Sequence, residues 1–293
     1  MQPCVLWPLG IVIVVALCIY DPLYMEDIQY FIYHMLHKPC FSEFISGVSS
    51  PKNPNVLFVT FDTRPELPFV ELHNESVRRF CKRGGHTYLF LPDSPPKGVH
   101  MYWHKLFVVQ KALRENPTHD YVFWLDSDTV IAKPDYDMNE LFVANPFADI
   151  IIARDESTLS FFRLNYMTNF TMDVEVLNAG VFIVRNSETG RAFIDDCIHE
   201  LLKNKEKCYN ESTGGLNGFW AGLCYEQGVM NELIKSKYAA NTAIVPNYFF
   251  MNTRHCTPEK NTFILHLNGR SEDARKTCFS RVLSRSESML PDR

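Results

Sequence analysis

Tyr121-Val-Phe-Trp-Leu-Asp126-Ser-Asp128-Thr-Val-Ile131 runs through five apolar residues and ends on two carboxylates set one residue apart. An apolar run of that length, entered from His119-Asp120 and left through acids, reads as a strand covered on both faces. The flanking sequence repeats the theme. Val56-Leu-Phe-Val-Thr60 is a first strand, and a helix then runs to about Arg83 and stops at Gly84-Gly85. His86 to Leu91 is a second strand, and Met101 to Arg114 carries apolar residues at helical spacing. Strands alternating with helices predict an α/β domain with a largely parallel sheet. Ligands of such sheets bind beyond the carboxyl ends of the strands, which is where Asp126 and Asp128 fall. Two carboxylates are too costly to hide there unpaired. Their hard oxygens suit Mg²⁺ or Mn²⁺, an ion able to stabilise a departing diphosphate. A second pair, Asp135-Tyr-Asp137, follows Lys133-Pro134 and is expected in a solvated turn.

The later half is less regular. Ala148 to Ala153, Val181 to Val184, Thr242 to Val245 and Phe263 to Leu267 read as strands, with helices over 188–205 and 225–236. Gly214-Gly-Leu-Asn-Gly218 reads as a flexible loop, and the polar chain beyond about Val282 as a disordered tail. Three places carry further chemistry. His266, near the end of a strand, is either a third metal ligand or a histidine satisfied within the sheet. Gly269 and Arg270 after it suit close approach to a phosphate. Asn178 and Gly180 precede a strand, as an ordinary turn or a ligand-facing edge. Glu226-Gln227 opens a helix, as a cap or as a sugar contact.

The 293 residues are 46% hydrophobic and 22% charged, a globular composition. A net charge of -5 with no long basic block sets nucleic acid aside as a partner. Met1 to Tyr20 holds no charged side chain and is long enough to cross a bilayer as a helix. A cleaved signal peptide competes with that reading, but the run lacks a basic start and a small-residue cleavage site, which favours a retained anchor. Nine cysteines fit an oxidising compartment, with the pairing left open. Asn74, Asn169 and Asn210 stand in glycosylation sequons.

Several short motifs in fixed order resemble glycosyltransferase family 34. They are Val59-Thr60, Arg79-Phe-Cys81-Lys-Arg-Gly84, Tyr102-Trp103-His-Lys105-Leu106 and Trp124-Leu-Asp126-Ser-Asp128. Leu177-Asn178-Ala-Gly180 with Val184-Arg185-Asn186, then Glu226-Gln227, then His266-x-x-Gly269 complete the series. The resemblance implies a GT-A type, Rossmann-like nucleotide-sugar transferase fold after a single N-terminal transmembrane helix. It implies Mn²⁺ (or Mg²⁺) on Asp126, Asp128 and His266. It places Thr60, Asp62, Lys105, Asp126, Ser127, Gly180, Gly269 and Arg270 at a nucleotide-sugar donor, a uridine- or guanosine-diphosphate sugar. Glu226, Gln227 and Asn178 would line the sugar pocket as the catalytic group. A glycan or polysaccharide acceptor, retention of configuration and a type II position in the Golgi membrane are implied too. The division expected is an anchor over 1–20, a stem over 21–50, a catalytic domain over 51–282 and a disordered tail over 283–293. The chain departs from the family pattern at Ala179, usually Thr. Arg270 also adjoins Gly269 directly, leaving Ser271 where the basic residue is expected. Two rivals remain. A metal-dependent nucleotidyltransferase or phosphoesterase would want a Gly-rich basic loop after the first strand, where Phe61-Asp-Thr-Arg-Pro65 stands. An inactive carbohydrate-binding relative would not need Asp126, Asp128 and His266 intact.

Overall fold

A computed structural model describes residues 53–92, 94–155, 176–218, 222–253 and 255–288. The expected anchor, the stem, Asn169 and the final residues 289–293 lie outside them. Among the described residues no helix is long and apolar enough to cross a membrane.

The central sheet has six strands in the order β2-β1-β3-β6-β5-β9. They are β1 (Val56–Phe61), β2 (Thr87–Leu91), β3 (Tyr121–Leu125), β5 (Ile150–Arg154), β6 (Leu177–Arg185) and β9 (Thr242–Val245). β1, β2 and β3 are mutually parallel, while β6 runs antiparallel to both β3 and β5. Five of its six strands run the same way and β6 is reversed, so the sheet is largely parallel, as the sequence led us to expect. Alternate residues serve opposite faces. Leu57, Val59, Val122 and Trp124 join one core with α2 (Met101–Glu115) and α4 (Glu188–Lys203). Val56, Phe58, Tyr121, Phe123 and Leu125 join the core on the other face. Burial on both faces explains why β1 and β3 are apolar without alternation.

A second, three-stranded sheet has the order β10-β11-β4, with β4 Thr129–Ile131, β10 Phe250–Thr253 and β11 Ile264–Leu267. β4 begins directly after Asp128, so the acidic turn is where the chain leaves the central sheet for the second one. α1 (Pro68–Gly84) starts with proline at its first turn and ends at Gly85, whose φ of 69° is the left-handed conformation that glycine adopts without strain. α3 (Met138–Ala144) is capped by the Asp137 side chain, which accepts from the Asn139 amide. That pair thus lies at a helix start, remote from the acidic turn. α5 (Glu226–Leu233) packs against α4 and β6.

The disordered tail expected over 283–293 is corrected as far as Ser288, since residues 283–288 are helical. A last helix, α6 (Glu272–Ser288), buries Cys278, Phe279, Val282 and Leu283 against Phe69, Val130 and Leu265. Those four positions form one stripe at helical spacing, diluted in sequence by Ser and Arg. A Cys256–Cys278 disulfide fastens the helix, and a Cys208–Cys224 disulfide closes the segment before α5. Cys81 and Cys197 are buried and form no disulfide among the described residues.

His73 on α1 ties the two sheets together. Its Nδ1 donates to the Thr129 carbonyl at 2.8 Å, and its Nε2 accepts from the Thr60 hydroxyl at 2.9 Å. Both contacts suit a neutral ring, and burial pushes its pKa down to about 4. The unfolded chain takes up that proton near pH 6.5, so it binds more protons than the fold between those values. Stability should be complete above about pH 6.5 and fall by about 3 kcal/mol as pH drops toward 4. Urea unfolding across that range should show a flatter slope for His73→Asn; an unchanged slope would remove His73 as its source.

Candidate functional site

The acidic turn opens into a cleft of about 400 Å³ lined by Asp62, Arg64, Lys105, Asp126, Asp128 and Arg275 among others. Register assembles its centre. β11 pairs antiparallel with β4 so that His266 faces Thr129, one residue beyond Asp128. The Leu267 amide donates to the Asp128 carbonyl at 2.9 Å, and His266 Nε2 comes within 3.0 Å of Asp128 Oδ1. On the other side the Asp126 amide donates to the Gly180 carbonyl at 2.8 Å, fixing the turn to β6.

Ligand atoms of Asp126, Asp128 and His266 all lie within 4.8 Å of one another. Two carboxylates and an imidazole at that spacing fit a divalent ion such as Mn²⁺ or Mg²⁺. Glycine at 180 is what lets the histidine in, because a Cβ there would stand 2.2 Å from His266 Cε1. Asn178 Oδ1 lies 3.2 Å from His266 Nδ1 and accepts from the Gly180 amide at 2.8 Å. With Nδ1–H donating to Asn178, Nε2 is left to face Asp128.

Cations surround the acids. Lys105, on α2, reaches Asp126 at 3.0 Å and Glu226 at 3.1 Å while nearly fully buried. Burial alone would lower its pKa, but the two carboxylates outweigh that and hold the proton more tightly than in an ordinary lysine. Burial pushes Glu226 upward against the pull of Lys105, and Glu226 Oε2 is buried without a hydrogen-bond partner among the described residues. Asp128 shows the opposite balance. Burial would raise it, yet His266 and Arg275 hold it down at about 2. His266 in turn is raised, the attraction of Asp128 exceeding the cost of burial.

Arg275 was not legible as a site residue. It lies nine positions after His266, on α6, and donates to Asp128 Oδ2 at 2.9 Å and to the Leu267 carbonyl at 3.2 Å. Arg270, the sequence candidate, is exposed and does not line the cleft. Arg64 was also passed over. It donates twice to Asp62, at 3.0 and 3.1 Å, and Ser127 donates to the same carboxylate at 2.5 Å. Burial raises Asp62, but these bonds leave it below the usual carboxylate value.

Other expectations are corrected. Thr60 is fully buried under the strand end and bonded to His73, so it has no surface to offer a donor. Gly180 leaves room for the His266 ring, and Gly269 is exposed with a φ of 58°. Gln227 spends its amide on the Ala179 N–H and on Asp155. Asn74 is 5% exposed and accepts from the Tyr88 hydroxyl, which leaves no room for a glycan. Asn210 ends the short strand Tyr209–Asn210, is exposed and meets the steric requirement.

The profile of the galactosyl transferase GMA12/MNN10 family matches residues 56–214, the stretch holding β1, the acidic turn and β6. The chain belongs to that family. Among its relatives, a protein named as an uncharacterized alpha-1,2-galactosyltransferase of Schizosaccharomyces pombe is 23% identical over 170 residues, covering 50% of this chain and 44% of the relative. A probable alpha-1,6-mannosyltransferase of Saccharomyces cerevisiae is 25% identical over 138 residues, 41% of this chain and 34% of the relative. The chain thus spans less than half the length of these curated relatives. A glycosyltransferase involved in glycosylating the major capsid of PBCV-1 superposes with a TM-score of 0.56 at 14% identity, over 78% of this chain and all of that one. That likeness supports the GT-A type fold.

The family member's ligand cluster is testable without any turnover. Gly180→Ala or Asn178→Ala should weaken Mn²⁺ binding roughly 10- to 100-fold, since both disturb the orientation of His266. Arg275→Ala should hold or tighten it by removing a competitor for Asp128. Titration calorimetry of the folded variants distinguishes these; equal losses in all three would mean the cluster is not the binding site.

Proposed function

We propose that the chain is a metal-dependent glycosyltransferase that moves a sugar from a nucleoside-diphosphate donor to a glycan acceptor with retention of configuration. The convergence of Asp126, Asp128 and His266 at one cleft, with Lys105 and Arg275 beside them, carries this reading. The names of the relatives, galactosyl- and mannosyltransferases, support it. Mn²⁺ or Mg²⁺ held by Asp126, Asp128 and His266 would neutralise negative charge on the leaving diphosphate. Arg275 turns from Asp128 to the diphosphate as a second cation with forked donors. The Asp62–Arg64–Ser127 cluster beside the acidic turn positions the nucleoside. The free Glu226 Oε2 accepts a hydroxyl of the donor sugar, because an orphaned buried carboxylate oxygen gains most from such a bond.

For the chemistry we favour attack on the face the diphosphate leaves. The bond from the sugar carbon to the phosphate oxygen breaks as the bond to the acceptor oxygen forms, and the acceptor's proton passes to the departing phosphate. Glu226, tethered to Lys105 by one oxygen and buried, is placed to bind rather than to attack. A Golgi, type II setting rests on the charge-free run of residues 1–20 and on the sequon at Asn210.

Hydrolysis of UDP-sugars by the full chain in detergent provides the test. It should vanish in EDTA and return with Mn²⁺. Asp128→Asn should lower it ~10³-fold, the equivalent of several kcal/mol of lost charge stabilisation. Asp135→Asn and Asp137→Asn should change little, asparagine being as good a helix cap as aspartate. Arg275→Ala should weaken uridine-diphosphate binding roughly thirtyfold, about 2 kcal/mol for one charge-assisted contact. Full activity in EDTA would refute the proposal.

A further inference from the structure

Beside the metal-binding cleft lies a second one of about 440 Å³, walled by Pro95, Pro96, His100, Tyr209 and Glu211 and sharing Met101 with the first. Four rings connect the two. Tyr225, which directly precedes Glu226, lies 5.8 Å from Tyr102; Tyr102 lies 5.1 Å from His100; His100 lies 5.6 Å from Tyr209. Tyr102 and Met101 are each 48% exposed, unusual for side chains of that size with a core available next to them. Lys97 and Glu211 also line the second cleft, and Glu211 pairs with Lys205 at 2.7 Å.

From this juxtaposition we infer that Tyr225, Tyr102, His100 and Tyr209 form a binding track for a neutral oligosaccharide acceptor several residues long. The track rests on the function proposed above and adds an acceptor subsite and a minimum chain length to it. Successive ring centres are separated by distances close to those between successive pyranoses in a glycan chain. Aromatic faces pack against the apolar C–H faces of sugars, while the Glu211–Lys205 pair and backbone groups of the cleft meet their hydroxyls. The end of the track at Tyr225 abuts the donor-sugar side through Glu226, and the far end at Tyr209 holds the part of the acceptor already built. The Lys205–Glu211 ion pair at the second cleft disfavours a purely apolar ligand. The Cys208–Cys224 bridge joins the residues immediately before Tyr209 and Tyr225, so one covalent link sets the separation of the two ends. Asn210, next along from Tyr209, is exposed on the other side of its strand and leaves the track clear.

The full chain in detergent is titrated with neutral glucose, galactose and mannose oligosaccharides of one to six residues, with and without Mn²⁺ and uridine diphosphate. At least one series should bind more tightly with each added residue up to about four and then level off. Tyr209→Leu, which keeps an apolar side chain against Trp103, should lose about fivefold for the longer members only. Tyr102→Ser, a change at an exposed position, should show the same length-selective loss. Hydrolysis of UDP-sugar without acceptor should be equal in wild type and Tyr209→Leu. The track is overturned if no series gains with length, if both variants bind all lengths as wild type does, or if Tyr209→Leu loses hydrolysis in parallel with binding. Length-dependent binding with no hydrolysis in either protein would instead remove the proposed transferase activity and leave the track standing.

Discussion

Two carboxylates one residue apart at the end of a buried strand repel each other, and most of the structure around the cleft counters that repulsion. Asp126 is held by the Trp124 indole at 2.7 Å and by Lys105, and Asp128 by His266 and Arg275. These partners come from four separate elements: β3, α2, β11 and α6. The central sheet supplies the first acid, the second sheet supplies the histidine, and the turn between them carries the charges. Local backbone geometry and tertiary assembly are therefore coupled, since the site exists only when β4 has paired with β11 in one register.

The same network defines how the site can respond to a ligand. Lys105 bridges Asp126 and Glu226, so it couples the acidic turn to the start of α5 through one buried ammonium. Arg275 is only partly buried and rests on Phe69, with its guanidinium 5.1 Å from the ring centre. A cation packed on an aromatic face can change partners without losing its support. The rigid and the adaptable cation thus stand on opposite sides of the acidic turn.

Much of this arrangement was legible in the sequence, for identifiable reasons. Asp126 and Asp128 could be read because polar residues at the end of an apolar run have few places to go, whereas His266 joined them only through the family resemblance. Lys105 stood out by its place in a motif, although its pairing with Glu226 did not. Arg275 escaped because it arrives on a helix nine residues past His266, and the helix looked polar until its Cys278-Phe279-Val282-Leu283 stripe met α1 and β11. Thr60 and Asn74 were misread for the opposite reason. Strand ends and sequons are visible in sequence, while burial beneath a neighbouring helix is a property of the assembled fold. The antiparallel direction of β6 was likewise hidden, since an apolar run buried on both faces reads the same either way.

The distribution of the two disulfides has a practical consequence. Both fasten segments that close over the clefts, one before α5 and one on α6, and both cysteines buried among the helices next to the central sheet, Cys81 and Cys197, form no disulfide among the described residues. A preparation in which neither bridge had formed would keep the apolar packing of the six strands, and its circular dichroism would pass for native. It would nonetheless lack the crosslinks that limit how far Arg275 and Tyr225 can stray. A spectrum that certifies the sheet therefore says nothing of whether the two crosslinks have formed.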